Sequence, residues 1–479
     1  MAKQNPIAQM GLYALSLIAM KGSALIALPF VARYLSPSAL GQLELIGSVT
    51  MFLSLVVGLA MHENLYRFIA VEEAHTTRKR LASKLYSVTI LISLLLSALA
   101  CVTLFALSPS DLSAQHIALI ALAVSYEAPL AICLAWLRLN DQASLFVKLT
   151  LATVALQLGG LFTLLQFTTS ITAIVAWNVT CTLGQFLFLH LSLRFRLSLP
   201  SRATLLRYLH YSTPIMLSAM VAFGMSGAER WFIAAGNNLD QLGLYAVAAK
   251  FALAVGILIQ PFHMMWMPKR FAHLEKGQQG YVVRMTQLGV LCLTLIAVSV
   301  GVFAQLFISV AMPASYQDAA LLLPLAIIIM VLKELTELTN IGLLAAKQSR
   351  LLLLSNVIAT TAALLLCASF YEMGAGAILI CLGFGQAVRF VLVLTLSQRH
   401  HPLPFHLTWL IQVITLSVVT VLTPLWLEEQ GLYMAISALS LVGLIALSLF
   451  AKLFSLEDLL AQKVLISKLS TMLKRSPAH

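Results

Sequence analysis

Long apolar runs recur along the whole chain, and short polar segments separate them. About 20 apolar residues cross the hydrocarbon core of a bilayer as a helix, because a helix rises about 1.5 Å per residue. The pattern predicts about fourteen membrane-spanning helices, at 9–32, 41–61, 82–107, 115–137, 145–167, 171–193, 209–229, 240–262, 284–310, 317–343, 350–371, 374–396, 406–426 and 431–453. Some of the turns are so short that twelve spans also fit. The sequence therefore predicts an all-α polytopic membrane protein.

A polar turn that ends in Leu-Gly occurs twice, each time between two apolar spans. The first is Leu40-Gly41-Gln42-Leu43 and the second is Leu242-Gly243-Leu244-Tyr245. Internal symmetry is common in membrane transporters, so the recurrence favours a duplicated bundle, with shared helix-start chemistry as the alternative. The predicted divisions are an N-terminal six-helix lobe at 1–208, a C-terminal six-helix lobe at 209–405, two additional helices at 406–453 and a basic amphipathic tail at 454–479.

The composition supports a membrane protein without a separate soluble domain. Hydrophobic residues make up 60% of the chain and charged residues 10%, whereas soluble chains average roughly 45–50% and 25%. The six cysteines lie inside apolar runs without metal-ligand spacing, which is typical of small buried side chains. No Walker A, HExxH, CxxC or GxSxG motif is present. We therefore expect no cofactor, no metal, no direct use of ATP and no enzymatic activity.

The basic residues follow the topology. With the N-terminus inside, the inner segments hold all but six of the 30 basic residues. An excess of lysine and arginine in cytoplasmic loops is the general rule for membrane proteins. The asymmetry predicts that both termini are cytoplasmic, and it accounts for the net charge of +12 without nucleic acid. In the tail, leucines alternate with lysines, which predicts a helix on the inner leaflet, with a solvated tail as the alternative.

Charged residues inside the spans are the candidates for function. A charge at the bilayer centre costs at least about 2.5–3.5 kcal/mol, so it needs a partner or a hydrated cavity. These residues are Lys21, Glu127, Lys250, Lys333, Glu334, Glu337 and Arg389. Lys21 and Lys250 lie near the predicted midplane, in different proposed repeats. We expect both to face one central cavity, whose positive potential would suit an anionic ligand.

The remaining charges allow two interpretations. Lys333 and Glu337 are i,i+4 neighbours and can neutralise each other on one helix face, which would leave Glu334 as a carrier of protons or cations. Glu127 precedes Pro129 at a similar depth to the lysines. Our candidates for ion coupling are therefore Glu127, Lys333, Glu334 and Glu337. Arg389 can contact a ligand or extend toward the inner interface.

Size, topology and the stretch Leu35-Ser36-Pro37-Ser38-Ala39-Leu40-Gly41-Gln42-Leu43 resemble the multidrug/oligosaccharidyl-lipid/polysaccharide exporter superfamily. Within it, the chain is most similar to bacterial polysaccharide flippases of the O-antigen type. The resemblance implies two six-helix lobes related by a pseudo-twofold axis, with a cleft that opens alternately to each side. The helices near 406–453 resemble those that line a lipid-tail groove in lipid II flippases. Basic residues line the cavity in such flippases, and Lys21, Arg33, Lys250 and Arg389 are the positions here that fit substrate binding.

The resemblance implies a flippase that carries undecaprenyl-diphosphate-linked oligosaccharide repeats to the outer leaflet of the bacterial inner membrane, driven by ions or protons. It also implies contact with membrane lipids and with polysaccharide polymerase and chain-length machinery. The lack of an arginine cluster favours a polysaccharide repeat over the peptidoglycan precursor. A cation-coupled multidrug exporter is the alternative, and a membrane polymerase or ligase is disfavoured because the outer loops are short.

Overall fold

The computed structural model describes residues 22–107, 111–236, 238–427 and 429–450. Within these ranges the chain forms α-helices and no β-strand. The helices are α1 (Gly22–Tyr34), α2 (Pro37–Gly58), α3 (His75–Leu107), α4 (Ala114–Leu139), α5 (Ala143–Phe167), α6 (Ile171–Leu193), α7 (Arg202–Gly224), α8 (Glu229–Ala235), α9 (Leu239–Trp266), α10 (Arg270–Glu275), α11 (Gln279–Ala311), α12 (Ala319–Thr339), α13 (Ile341–Ala345), α14 (Ser349–Phe370), α15 (Ala375–His400), α16 (Leu407–Leu422) and α17 (Gln430–Phe450).

The all-α membrane fold predicted from the sequence is confirmed. Twelve of the described helices are long and apolar enough to cross a membrane. The first predicted span, 9–32, overlaps α1 from residue 22, where the described residues begin, and the seventh, 209–229, overlaps α7. Helix α1 is described only over its short stretch Gly22–Tyr34, and α7 carries the polar stretch Arg207-Tyr208-Leu209-His210-Tyr211, which lowers its apolarity. The predicted count of fourteen therefore holds as an approximate number. The predicted tail at 454–479 lies outside the described residues.

Helix starts follow the capping chemistry of the sequence. Ser36, Ser113, Ser170 and Ser201 precede α2, α4, α6 and α7, and each accepts a hydrogen bond from a backbone N–H of the first turn. A cap of this kind contributes about 1 kcal/mol relative to alanine, since it satisfies an otherwise unpaired donor. At Ser113, His116 also returns a side-chain contact to the cap and completes a capping box. The turns between spans are therefore specified by local chemistry.

Contacts divide the chain into two compact units, whose boundaries differ from those of the predicted lobes. The first consists of Met1–Lys250, Ile308–Leu322 and Asn356–Gln386, and the second of Phe251–Phe307, Leu323–Ser355 and Ala387–His479. Several long helices pass from one unit to the other, since the boundaries fall within α9, α11, α12, α14 and α15. The lobe boundaries at 208 and 405 stay a prediction.

Helix α4 lies at the centre of the first unit and contacts α2, α3, α5 and α6. Its buried Ile132 and Trp136 join a core with Tyr86 of α3 and Leu189 of α6. Lipid tails are as apolar as leucine, so burial alone gives membrane helices little reason to associate. Close packing and polar contacts hold them together instead. One such contact joins the Tyr86 hydroxyl to Nδ1 of His190 at 2.7 Å.

The two Leu-Gly turns of the sequence pack against each other in the first unit. A Cβ atom at Gly41 would overlap the carbonyl oxygen of Leu239 and lie 3.0 Å from the backbone nitrogen of Gly243. A Cβ atom at Gly243 would overlap the carbonyl oxygen of Pro37. Each glycine thus lets the backbone of the other helix approach as closely as two helices can. The recurring motif marks a reciprocal contact between the starts of α2 and α9.

The second unit has its own core and its own polar contacts. Trp266, Val282, Val283, Ile341 and Leu403 form a buried apolar cluster. At one end of this unit Ser397 joins α15 to the break between α12 and α13. Its hydroxyl accepts from the Gly342 N–H at 2.9 Å and donates to the Thr339 carbonyl at 3.0 Å. Helices α16 and α17 pair through a 2.8 Å hydrogen bond from Thr420 to Ser440.

Candidate functional site

A cavity of about 900 Å³ lies within the first unit. Helices α1, α2, α4, α5, α6, α7 and α9 and the segment after α2 contribute to its walls, which are mostly apolar. Among the residues that the structure describes, the charged or titratable ones on these walls are Glu44, His62, Glu63, Glu127 and Lys250. The volume is near the upper end of ligand sites, which typically enclose about 300–1,000 Å³. A large space with a few charged groups suits an amphiphilic ligand.

Lys250 reaches the cavity from α9 and contacts Glu44 of α2. Its Nζ atom donates to Oε1 of Glu44. The second carboxylate oxygen of Glu44 accepts from Nε of Arg230 at 3.2 Å. Each of these three side chains is about one-fifth exposed, at 19–21%. One carboxylate therefore joins two cations on the cavity wall, where water is scarce and each charge needs a partner.

The same network continues to a second carboxylate deeper in the unit. Nη1 of Arg230 lies 2.7 Å from Oε1 of Glu229, which also accepts from the Tyr245 hydroxyl at 2.9 Å. The Glu229 side chain is only 2% exposed. Two carboxylates and two cations thus form a chain from Glu229 to Lys250 whose formal charges cancel. Removing one member of this set of ion pairs would leave a partly buried charge without its partner, which is destabilising.

Glu127 is a further carboxylate of the cavity wall. It lies on α4, two residues before Pro129, and accepts a hydrogen bond from the Ser54 hydroxyl of α2. The adjacent Tyr126 points to α6 and donates to the Val179 carbonyl at 3.0 Å. Glu127 thus links α2 and α4 at the cavity, with a hydroxyl as its hydrogen-bond donor. Ionisable groups inside membrane spans often belong to ion pathways, so the role of Glu127 in ion coupling stays a prediction.

The segment after α2 forms one end of the cavity. Leu59 and Ala60 adopt left-handed φ angles of 46° and 48°, which are uncommon for residues other than glycine. His62 and Glu63 follow and lie 3.4 Å apart at Nε2 and Oε1. Burial lowers the pKa of the His62 imidazole below its ordinary value; Glu63 opposes this change and Arg138 adds to it. His62 is therefore mainly neutral at pH 7.

The structure brings only some of the predicted site residues together. Lys250 and Glu127 both line the cavity. Arg33 is exposed on α1 and is absent from the cavity lining. Lys21 lies outside the described residues. The prediction that Lys21 and Lys250 converge on one cavity therefore stays a prediction.

The other predicted residues belong to the second unit. Nη2 of Arg389 lies 2.8 Å from Oε1 of Glu337, so the partner of Glu337 in the structure is on α15. Glu334 contacts His263, with 3.3 Å between Oε2 and Nε2. Lys333 lies on the same helix, α12, and is half-buried. The contacts of Glu337 thus differ from the local pairing with Lys333 considered in the sequence.

Sequence reasoning missed the roles of Glu44, Glu229 and Arg230 in this site. These residues lie near the ends of spans, where a charged side chain can reach water at little energetic cost. Their positions in the sequence therefore did not indicate that they are buried. One signal was present: Arg230 is a basic residue in an otherwise base-poor outer segment. Within the described ranges, no group of histidine, cysteine or acidic residues is arranged as a metal site.

The fold is similar to those of known membrane transporters. A structure of the lipid II flippase MurJ in an inward closed conformation matches with a TM-score of 0.68 and 11% identity, over 91% of this chain and 98% of the flippase. An inward-facing multidrug resistance MATE family transporter of the MOP superfamily matches with a TM-score of 0.54 and 13% identity, over 79% and 94% of the two chains. No curated protein sequence matches the chain.

At the level of the fold, these structures bear out the resemblance that the sequence suggested. Identities this low establish the fold alone. A family model described as polysaccharide biosynthesis protein matches residues 7–273, which is more than half of the chain. That match includes α2, α4 and α9, the helices that supply Glu44, Glu127 and Lys250. The chain therefore belongs to the polysaccharide biosynthesis protein family.

Proposed function

We propose that this protein is a flippase for polyprenyl-diphosphate-linked oligosaccharides, with undecaprenol as the lipid. It moves complete repeat units from the inner to the outer leaflet of the bacterial inner membrane by alternating access. Family membership and the flippase-like fold support this proposal. The observation that carries it is a large intramembrane cavity with a lysine on its wall. A diphosphate in such a space needs a cation, and Lys250 supplies one.

The ion-pair chain gives the proposed cycle its chemistry. In the empty cavity, Glu44 neutralises Lys250 and Arg230. A diphosphate that binds Lys250 competes with Glu44, because two anions cannot share one ammonium without cost. Glu44 or Glu127 then takes up a proton, and its release on the other side returns the chain to the paired state. The cycle thus couples substrate entry to proton or cation movement. We also propose Lys21, Arg33 and Arg389 as further substrate ligands.

One observation favours a second function. The described cavity wall carries three carboxylates, Glu44, Glu63 and Glu127, against a single lysine. An acidic cavity attracts cationic compounds, which is the chemistry of a cation-coupled multidrug exporter. The pairing of Glu44 with both Lys250 and Arg230 weakens this alternative, because that carboxylate is already neutralised. We therefore keep the exporter as the second candidate.

Deletion of the gene separates the two functions. The flippase proposal expects complete lipid-linked repeats to accumulate on the inner leaflet and surface polysaccharide to disappear. Lys250→Met should restore little surface polysaccharide, and Lys250→Arg should restore more because it keeps the charge. Lys148→Met, an exposed lysine of α5, is the matched control and should restore fully. Normal polysaccharide with raised drug sensitivity would instead support the exporter and refute the flippase.

The proposed setting follows from the same charges. Most basic residues lie in alternate segments, which supports both termini in the cytoplasm. Complete repeats must then be handed to an enzyme that joins them on the outer side. We therefore propose polysaccharide polymerase and chain-length machinery as functional partners of this protein.

A further inference from the structure

A histidine and a glutamate meet in the second unit, and neither is among the residues that line the cavity. Nε2 of His263 on α9 lies 3.3 Å from Oε2 of Glu334 on α12. The side chains are 11% and 15% exposed, so little solvent reaches either group. An imidazole beside a carboxylate in this setting can hold a proton as a compensated imidazolium or lose it and become neutral. The pair can therefore exist with or without that proton.

A proline inside α9 lies next to this pair, and a proline in a helix favours bending at that point. Pro261 lies two residues before His263 and has no N–H to donate to the Ile257 carbonyl. One turn farther back, a Cβ atom at Gly256 would lie 3.5 Å from Oε1 of Glu334. The two oxygens of Glu334 thus face α9 on either side of Pro261. Bending at Pro261 changes the distance between the imidazole and the carboxylate.

The neighbouring charges are already paired or permanent. Glu337 accepts from Nη2 of Arg389 at 2.8 Å and from Nδ2 of Asn340 at 3.1 Å. Nη1 of Arg270, on α10, donates to the backbone carbonyl of Glu337 at 3.4 Å. The other charged residues on or beside these helices of the second unit include Lys269, Glu275, Lys276, Arg284, Lys333 and Arg399, with His273 and His400 as further titratable groups.

These contacts leave His263 as the group whose protonation alters the local charge. The carboxylate of Glu337 pairs with the guanidinium group of Arg389, and the carboxylate of Glu334 lies beside the His263 imidazole. The His263 imidazole gains one positive charge when it takes up a proton from water. It becomes neutral again when that proton leaves. Separating the pair exposes both groups to water and changes how tightly that proton is held. Occupancy by a proton and bending of α9 are therefore linked, since each state of the pair prefers one geometry.

We propose that His263 and Glu334 form a proton-binding site whose occupancy controls the bend of α9 at Pro261. The site deepens the proposed function, on which its role in transport rests, because it identifies the coupling ion as a proton. It does not require the substrate in order to bind that proton. The proposal can thus be tested both with and without transport.

The first experiment measures proton binding in the full-length protein in lipid nanodiscs. Selective histidine labelling and comparison with His263→Gln identify the NMR signal of His263. The proposal expects this signal to titrate between pH 5 and 8 and its midpoint to move by about half a pH unit or more in Glu334→Gln. His273→Gln removes another histidine of the same unit and should leave the titration unchanged. A His263 signal that does not titrate, or that ignores Glu334→Gln, overturns the proposal.

The second experiment measures transport in proteoliposomes with and without a pH gradient. A gradient should accelerate movement of a lipid-diphosphate-linked oligosaccharide by the wild type, and both His263→Gln and Glu334→Gln should lose that acceleration. His273→Gln should keep it. Wild-type movement that ignores the gradient overturns the proton site but leaves the flippase intact. No movement of this lipid by the wild type refutes the flippase, while the titration still decides the proton site.

Discussion

The carboxylate of Glu44 neutralises two cations at the wall of the cavity. Glu44→Gln keeps the size of the side chain but removes the charge that Lys250 and Arg230 share. We expect a loss of stability of about 2 kcal/mol, below the 3–5 kcal/mol of fully buried pairs, because the groups are one-fifth exposed. Adding Lys250→Met should recover part of the loss, since it removes the unpaired ammonium. Thermal unfolding in detergent measures both effects.

Glu63→Gln is the matched control for this prediction. Glu63 also lines the cavity, but its side chain is 37% exposed and its nearest partner is the mainly neutral His62. A surface contact of this kind contributes about 0–1 kcal/mol. Equal losses in Glu44→Gln and Glu63→Gln would show that the charge chain is not stabilising.

At the scale of single residues, the sequence identifies Lys250 as a candidate site residue but does not identify its partner. A lysine inside an apolar run is conspicuous because of the energy it costs. Its partner Glu44 is 206 positions away along the chain, and no local spacing connects them. The same holds for Glu337, whose neighbour in sequence is Lys333 but whose contact in space is Arg389. Charge content predicts which residues need partners, whereas only the packing of helices decides which partners they find.

The reciprocal glycine contact between α2 and α9 is a feature of whole elements. Gly243→Ala places a methyl group against the Pro37 carbonyl oxygen and must push the starts of the two helices apart. Forcing extra atoms into a packed contact typically costs about 1–3 kcal/mol. We expect a matching loss of thermal stability and a lower yield of folded protein.

Gly159→Ala provides the comparison, because a Cβ atom at this position of α5 meets nothing within 4 Å. Alanine in an open helical position is neutral or favourable by about 0.5–1 kcal/mol. If Gly243→Ala behaved like Gly159→Ala, the starts of α2 and α9 could not be as close as the contact requires.

Element positions are predicted well by apolar length and capping residues, while the breaks within elements are not. Span positions and serine caps follow from local sequence, which is why the predicted helices are found. Leu59 and Ala60 have left-handed φ angles, but neither is a glycine, so the sequence does not indicate the turn that they form. The π-helical turn at Leu65–Ile69 follows them and has an ordinary mixed sequence. Such irregular backbone is maintained by surrounding contacts, so it cannot be deduced from local preference.

For the whole molecule, the distribution of lysine and arginine predicts the orientation in the membrane. Ala74→Cys lies in a segment predicted to be cytoplasmic, and Thr169→Cys in one predicted to be outside; both positions are exposed. In intact spheroplasts, a membrane-impermeant maleimide should label Thr169→Cys and should label Ala74→Cys only after permeabilisation. The unmodified chain reports the background from the native cysteines. Labelling of Ala74→Cys in intact spheroplasts would reverse the predicted orientation.

The movement of lipid-linked saccharide by the purified protein tests the central claim most directly. A fluorescent polyprenyl-diphosphate oligosaccharide is placed in proteoliposomes, and its loss from one leaflet is followed by a quencher that cannot cross the bilayer. The wild type should exceed protein-free vesicles by at least about tenfold, a difference of about 1.4 kcal/mol in the barrier, and Lys250→Met should fall close to the protein-free rate. Movement of lipophilic cations without movement of the saccharide lipid would contradict the account.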